Sequence, residues 1–215
     1  MKIAAHSKLV FIGDSITDCE RARPIGEGLF GAAGKGYVSL VEGLLGAILP
    51  GHPIRVVNMG TSGHTVLDLK ARWQTDVLDL KTDWLVVMIG VNDVWRQFDL
   101  RHQKEIHVLP EVYARTLDEL VASTKSKVKG LILMSPFYIE PNRSDAMRSR
   151  MDEYGAIVKQ TATKHGVQFI DTQAAFDAAL QHMNANALAW DRVHPNNIGH
   201  AIIARAFLNA VGVPL

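Results

Sequence analysis

Leu9-Val10-Phe11-Ile12-Gly13-Asp14-Ser15 is the stretch on which the reading of this chain turns. Four apolar residues in a row, closed by a glycine, are too few for a buried helix. They suit a strand covered on both faces. Asp14-Ser15 then sets a carboxylate and a hydroxyl at the carboxyl end of that strand. The same kind of run recurs at residues 54–57, 84–89, 130–134 and 167–170, giving five expected strands. Between them lie amphipathic stretches. Residues 36–49 carry Tyr37, Leu40, Val41, Leu44, Leu45 and Ile48 at helical spacing and stop at Pro50-Gly51. Residues 65–78, 108–123, 145–165, 172–182 and 198–211 read as helices on the same grounds. Strand-helix alternation of this kind predicts a three-layer α/β/α sandwich around a doubly wound, five-stranded parallel sheet, here taken as one domain spanning 1–215.

The bulk properties set limits on function. At 215 residues the chain can bury a substantial core. A net charge of +1, with no dense Lys/Arg run, argues against nucleic acid or an anionic membrane as partner. No apolar run approaches the length of a membrane span, and the run at residues 9–12 follows Lys8 and is too short for a signal peptide. The single cysteine, Cys19, excludes an internal disulfide and fits a reducing compartment, so the expected location is the cytoplasm. Cys19 as a nucleophile is a weaker option than an incidental loop thiol. A homo-oligomer is expected, with the apolar stretch 206–215 able either to dock on a neighbour or to pack on its own sheet.

In open parallel sheets, sites form where strands end. Polar motifs stand at those ends: Gly13-Asp14-Ser15 after the first, Asn58-Met59-Gly60 after the second, Gly90-Val91-Asn92-Asp93 after the third. Asp191-Arg192-Val193-His194 precedes the last helix. A serine hydroxyl is a poor nucleophile at neutral pH without a base, and the base needs an orienting group. Ser15, His194 and Asp191 supply those three side-chain types. The N–H of Ser15, the N–H of Gly60 and the side-chain amide of Asn92 supply three donors for a developing oxyanion. The N–H of Gly60 is expected to be free to face a substrate. Each segment also has a plain reading: Asp14 or Ser15 as a helix cap, Gly60 as a turn glycine, Asn92-Asp93 as a strand-end turn, His194 as a structural histidine. Taken singly the plain readings win; four such segments at successive positions favour an acyl-transfer site.

These blocks resemble the four motif blocks of the SGNH hydrolases, also called GDSL esterases. More narrowly, residues 13–19, 89–96 and 189–195 are similar to the small intracellular bacterial acetylxylan esterases of that superfamily. The resemblance implies a triad of Ser15, Asp191 and His194 and an oxyanion hole of Ser15, Gly60 and Asn92. It implies no cofactor and no metal. The substrate it points to is a small-molecule or oligosaccharide ester carrying a short acyl group. Asp14, Trp95 and Trp190 are expected to contact that substrate, with core packing as the alternative for the two indoles. Another hydrolase of the same fold, such as a thioesterase or lysophospholipase, or a non-catalytic carbohydrate-binding protein, are the competing functions.

Other motifs fail on context. Gly26-Glu27-Gly28-Leu29-Phe30-Gly31 spells a dinucleotide fingerprint but lies well past the first strand, not at a strand-to-helix turn. Residues 21–36 read instead as a loop that shapes or covers the site. His64 is expected to be a solvent-exposed residue at a helix start.

Overall fold

A computed structural model describes residues 1–213. Five strands, β1 (Lys8–Gly13), β2 (Arg55–Asn58), β3 (Trp84–Met88), β4 (Gly130–Met134) and β5 (Gln168–Ile170), form one parallel sheet in the order β2-β1-β3-β4-β5. The helices are α1 (Ser15–Asp18), α2 (Tyr37–Ile48), α3 (Val66–Ala71), α4 (Val91–Asp99), α5 (Pro110–Thr124), α6 (Ala146–His165), α7 (Thr172–Leu180) and α8 (Asn197–Ala210). α8 packs on α2 and α7, whereas α5 lies between α3 and α6. Two helix groups on opposite faces are what right-handed crossovers require when the chain runs from β1 outward to β2 and then back to β3. The α/β/α sandwich expected from the alternation is the fold observed.

The register explains where the site must lie. Gly13 pairs with Met88, so β1 and β3 end together, and β2, whose last residue Asn58 pairs with Phe11, ends beside them. The strand order reverses direction between β1 and β3, and the segments following these two strands flank that switch point. Phe11 packs edge-on against Tyr37 and Phe207, with ring centroids 5.7 and 5.0 Å apart, tying the central strand to α2 and α8. Phe207, Leu208, Val211 and Val213 are buried against the body of the chain. Of the two readings of the apolar C-terminal stretch, packing on its own sheet therefore holds as far as residue 213; Pro214 and Leu215 lie outside the described residues.

Two elements differ from expectation. The helix expected over 65–78 ends at Ala71, and a separate wide π-type turn covers Gln74–Leu78. Between them the Arg72 side chain reaches the carboxyl ends of two strands, donating to the carbonyls of Met59 (2.6 Å) and Gly13 (2.8 Å). The second difference is α4, a helix beyond those expected, over a segment whose Asn92-Asp93 had a strand-end turn only as its plain reading. Gly90 has φ 130°, open to glycine, and swings the chain from β3 straight into the helix. Val91, Val94, Trp95 and Phe98 recur on it at helical spacing, and the buried Asn92 and Asp93 add polar groups to its inward side.

Candidate active site

α1 begins at Ser15, one residue beyond β1 and Asp14. Asp14 caps it, its Oδ1 accepting the N–H of Ile16 at 3.0 Å. As the first helical residue, Ser15 has an N–H with no place in the helical ladder. The carboxylate of Asp14 is itself almost wholly buried, and burial raises it to about 7 against the pull of the Ile16 hydrogen bond. Asp14 was expected to touch substrate; with 2% exposure it presents no surface for that, and its cap role is the one seen.

His194 lies 179 residues away in sequence, yet its Nε2 is 3.1 Å from Ser15 Oγ. Its Nδ1 is 2.6 Å from Asp191 Oδ2. A carboxylate only accepts, so Nδ1 carries the proton and, in the neutral ring, Nε2 accepts from the serine hydroxyl. Asp191 does two jobs at once. Its Oδ1 accepts the N–H groups of Val193 (3.0 Å) and His194 (2.8 Å), turning the loop back so that Oδ2 meets the ring. Burial acts to raise Asp191, but the hydrogen bonds from the His194 ring and from the two backbone N–H groups outweigh it and hold the carboxyl below its ordinary range. The loop is moored elsewhere by the N–H of Ile139, which donates to the Arg192 carbonyl at 2.9 Å, and by an Arg192–Glu140 ion pair.

Of the other two expected donors, one keeps an N–H to spare and the other does not. Asn92, at the start of α4, is buried and gives one amide N–H to the His64 carbonyl at 3.0 Å, leaving its second N–H uncommitted in that pairing. The N–H of Gly60 is not free: it donates to Asn58 Oδ1 at 2.8 Å. The need for glycine there is nonetheless real. A Cβ at residue 60 would sit 2.2 Å from the Asp18 nitrogen, so only a bare backbone lets β2 come this close to α1. Asn58 is the residue that sequence reasoning passed over. Fully buried, it also donates to the carbonyls of Thr17 (2.6 Å) and Ala33 (2.8 Å), binding α1, β2 and the following loop together. Its only sequence signal is an amide ending a run of apolar residues, two before a glycine.

Trp95 is half-buried and meets the His194 ring edge-on at 5.6 Å. Trp190 is 83% exposed, so the core reading fails for it. His64 is not freely solvated; its Nδ1 accepts from Arg72 Nε at 3.1 Å. Asp93 is fully buried, accepts the N–H of Val66 at 3.0 Å and so fixes the start of α3. Burial raises it to about 7.

Cys19 stands near Ser15 but is differently disposed. Burial pushes its thiol up to about 11, and Sγ lies 3.3 Å from His200 Nε2. His200 Nδ1 accepts the N–H of Tyr37 at 3.2 Å, so Nε2 carries the ring proton and the imidazole is no base toward the thiol. Burial also lowers His200 to about 4. Ser15, Asp18, Cys19, Arg21, Arg23, Ser62 and His194 line one open depression. Residues 21–36 thus border the site, and the glycine-rich 26–31 segment runs beside β2, with Gly26 bridged to Asn58. Among the described residues no group of three or more His, Cys, Asp or Glu is arranged to hold a metal, and no helix is long and apolar enough to cross a membrane.

A model of the GDSL-like Lipase/Acylhydrolase family matches residues 11–202. The chain belongs to this family. Within reach of its sequence is an acetylxylan esterase of Geobacillus stearothermophilus, 59% identical over 212 residues that cover 99% of this chain and 97% of the relative. The crystal structure of a catalytic mutant of Axe2, the S15A form of an acetylxylan esterase from the same organism, superposes with a TM-score of 0.98 at 58% identity, covering 100% of this chain and 98% of that one. H194A and D191A forms of Axe2 are likewise described as catalytic mutants. LAE5, an alpha/beta hydrolase enzyme from the metagenome of Lake Arreo, Spain, superposes with a TM-score of 0.98 at 56% identity, covering 99% and 98% of the two chains. Family membership places the segment 11–202, from β1 to the middle of α8, in one shared frame.

Proposed function

We propose that this chain is a serine esterase that removes short acyl groups, acetyl foremost, from carbohydrates such as acetylated xylo-oligosaccharides. The observation that carries the reading is the continuous line from Asp191 through His194 to Ser15, at 2.6 and 3.1 Å. In it, Ser15 Oγ attacks the ester carbonyl while His194 Nε2 takes its proton. The tetrahedral intermediate collapses, the C–O bond to the sugar breaks, and the alcohol leaves with the proton from His194. Water, deprotonated by the same ring, then hydrolyses the acyl-enzyme. Asp191 holds the ring and its transient positive charge. Oxyanion charge falls on the N–H of Ser15 and the second amide N–H of Asn92. The N–H of Gly60 joins them by sharing with, or turning from, Asn58 Oδ1.

Trp95, edge-on to His194, walls the acyl side and favours small groups. Trp190, exposed beside Asp191, offers an indole face to a sugar ring. The acetylxylan esterase activity of the Geobacillus relative supports the same substrate class at 59% identity. A cytoplasmic location, supported by the lone unpaired Cys19, and a homo-oligomer, supported by the fully exposed Leu29 and Phe30, belong to this reading; light scattering decides the latter. An ester panel tests the function. Acetyl esters of xylo-oligosaccharides are expected to turn over far faster than octanoyl esters. A strong octanoyl preference excludes the acetyl reading, and hydrolysis of simple acetates without any of acetylated sugars excludes the carbohydrate.

A further inference from the structure

The wall beside Ser15 holds a carboxylate with half of its bonding capacity in use. Asp18 ends α1, three residues from Ser15, and lines the same depression. Its Oδ2 accepts the N–H of Ser62 at 2.9 Å and an N–H of Arg23 at 2.6 Å. Its Oδ1 is buried and has no partner. A carboxylate oxygen accepts up to two hydrogen bonds, and one kept dry without any is costly. Such an atom calls for an explanation, and a ligand group is one that its place beside Ser15 admits.

The two arginines of the adjoining loop differ in freedom. Arg21 is buried and fixed on the carbonyls of Gly60 (2.7 Å), Ala22 (3.0 Å) and Pro24 (2.7 Å). Arg23 has a half-exposed side chain held by Asp18 and, at 3.3 Å, by the Arg21 carbonyl. Arg23 is therefore the member able to turn outward and free Asp18 Oδ2, the oxygen it bonds. A carboxylate that accepts, next to a guanidinium that donates, matches a hydroxyl, which does both.

Resting on the carbohydrate-ester reading above, we propose that Asp18 and Arg23 together recognise a free sugar hydroxyl next to the acetyl ester. The hydroxyl donates to the Asp18 carboxylate at the Oδ2 position that Arg23 vacates, and Arg23, turned outward, donates to the hydroxyl oxygen. Simple alkyl acetates leave both groups unused. The pair thus sets specificity for the alcohol, separately from the wall that sets acyl length.

The test uses a xyloside with one acetyl ester and a free neighbouring hydroxyl, and the matching xyloside lacking that hydroxyl. The wild type is expected to favour the first by roughly 10- to 100-fold in kcat/KM, as for a lost hydrogen bond to a charged group. Asp18→Asn has one accepting oxygen for two demands, and Arg23→Gln, at an exposed position, leaves the fold undisturbed. In both, the ratio is expected to fall to within about 3-fold of unity, whatever the absolute rates, as expected once the hydroxyl's charged partner is gone. A merely structural Asp18 would lower both rates and leave the ratio intact. A wild-type ratio near one, or a ratio unchanged in both variants, overturns the proposal. A wild type that cleaves 4-nitrophenyl acetate and neither xyloside removes the carbohydrate reading and this proposal with it. That outcome is distinct from failure of Asp18 alone, in which the hydroxylated xyloside is still a good substrate.

Discussion

Two serines follow central strands of this sheet, Ser15 beyond β1 and Ser135 beyond β4, and each opens onto a hollow at the strands' carboxyl ends. The hollow at Ser135, between α6 and α7, measures about 320 Å³ and that at Ser15 about 550 Å³, so either has room for a small ligand. Their polar groups separate them. Ser135 Oγ accepts the N–H groups of Thr172 (2.9 Å) and Gln173 (3.3 Å) and so caps α7, where no base is needed. Arg148, buried beside it, spends its guanidinium on Asp152 (2.9 Å), Asp177 (2.7 Å) and the Glu140 carbonyl (2.5 Å). At Ser15 the groups are held in place but not used up: a hydroxyl against an imidazole, an amide N–H to spare, a carboxylate oxygen without partner. A hydroxyl with an imidazole beside it, at Ser15, against a hydroxyl that accepts backbone N–H groups, at Ser135, distinguishes a reaction site from a well-knit crevice.

The sharpest way to break that contrast is Ser15→Ala. Loss of the nucleophile is expected to lower kcat/KM for an acetyl ester by on the order of 10⁴-fold or more, and near-wild-type turnover in pure protein would end the serine mechanism. Asn92→Ala comes next. Removing one oxyanion donor is expected to cost about 3 kcal/mol of transition-state stabilisation, roughly 100-fold in kcat, read from steady-state kinetics on the same ester.

A third test concerns stability. Asp14 and Asp93 are carboxylates raised by burial to about 7 from 3.8. Between about pH 4 and 7 the unfolded chain has released these protons while the folded one retains them. Each group thus lowers stability as pH rises, by up to about 1.4 kcal/mol per pH unit. His200, lowered to about 4, works in the opposite direction over pH 4 to 6.5, because there the unfolded chain binds the extra proton. Urea unfolding of the wild type and Asp93→Asn across that range isolates the carboxylate. The variant is expected to gain on the wild type as pH rises, and parallel curves would remove the claim. The smallest effect is expected on the other side of the sheet. Ser135→Ala should cost about 1 kcal/mol of stability as a lost cap, with kcat/KM unchanged within a factor of about 2; a 100-fold loss there would erase the contrast.

Strands were legible because both of their faces are covered: Leu9 to Ile12 and Leu85 to Met88 are buried without exception, and a run with no polar residue has few other uses. The meeting of Ser15, His194 and Asp191 was legible because a serine, a histidine and an aspartate complement one another chemically wherever the chain puts them. The hidden parts share a physical cause, polar groups turned inward. α4 is the exception, since Val91, Val94, Trp95 and Phe98 carry a helical spacing that the sequence does show. Asn58 gave no sign that it would take the Gly60 N–H. Arg72 cut short a helix that periodicity alone would have continued. For Asp191 the plain and the chemical readings proved compatible, since one oxygen folds the loop and the other faces the ring.

The 179-residue gap between Ser15 and His194 also bears on how such a protein is made. Synthesis runs from the amino end, so a growing chain carries Ser15 long before it gains His194. The imidazole reaches Ser15 only after all five strands have been made and α8 can close on α2. Until then the hydroxyl has no base to activate it, and a stalled product that stops short of His194 would be silent toward esters however well its sheet had formed. Contacts this distant in sequence also make for slow folding, so the gain of activity during refolding should trail the gain of helix signal and report on the last segment to dock.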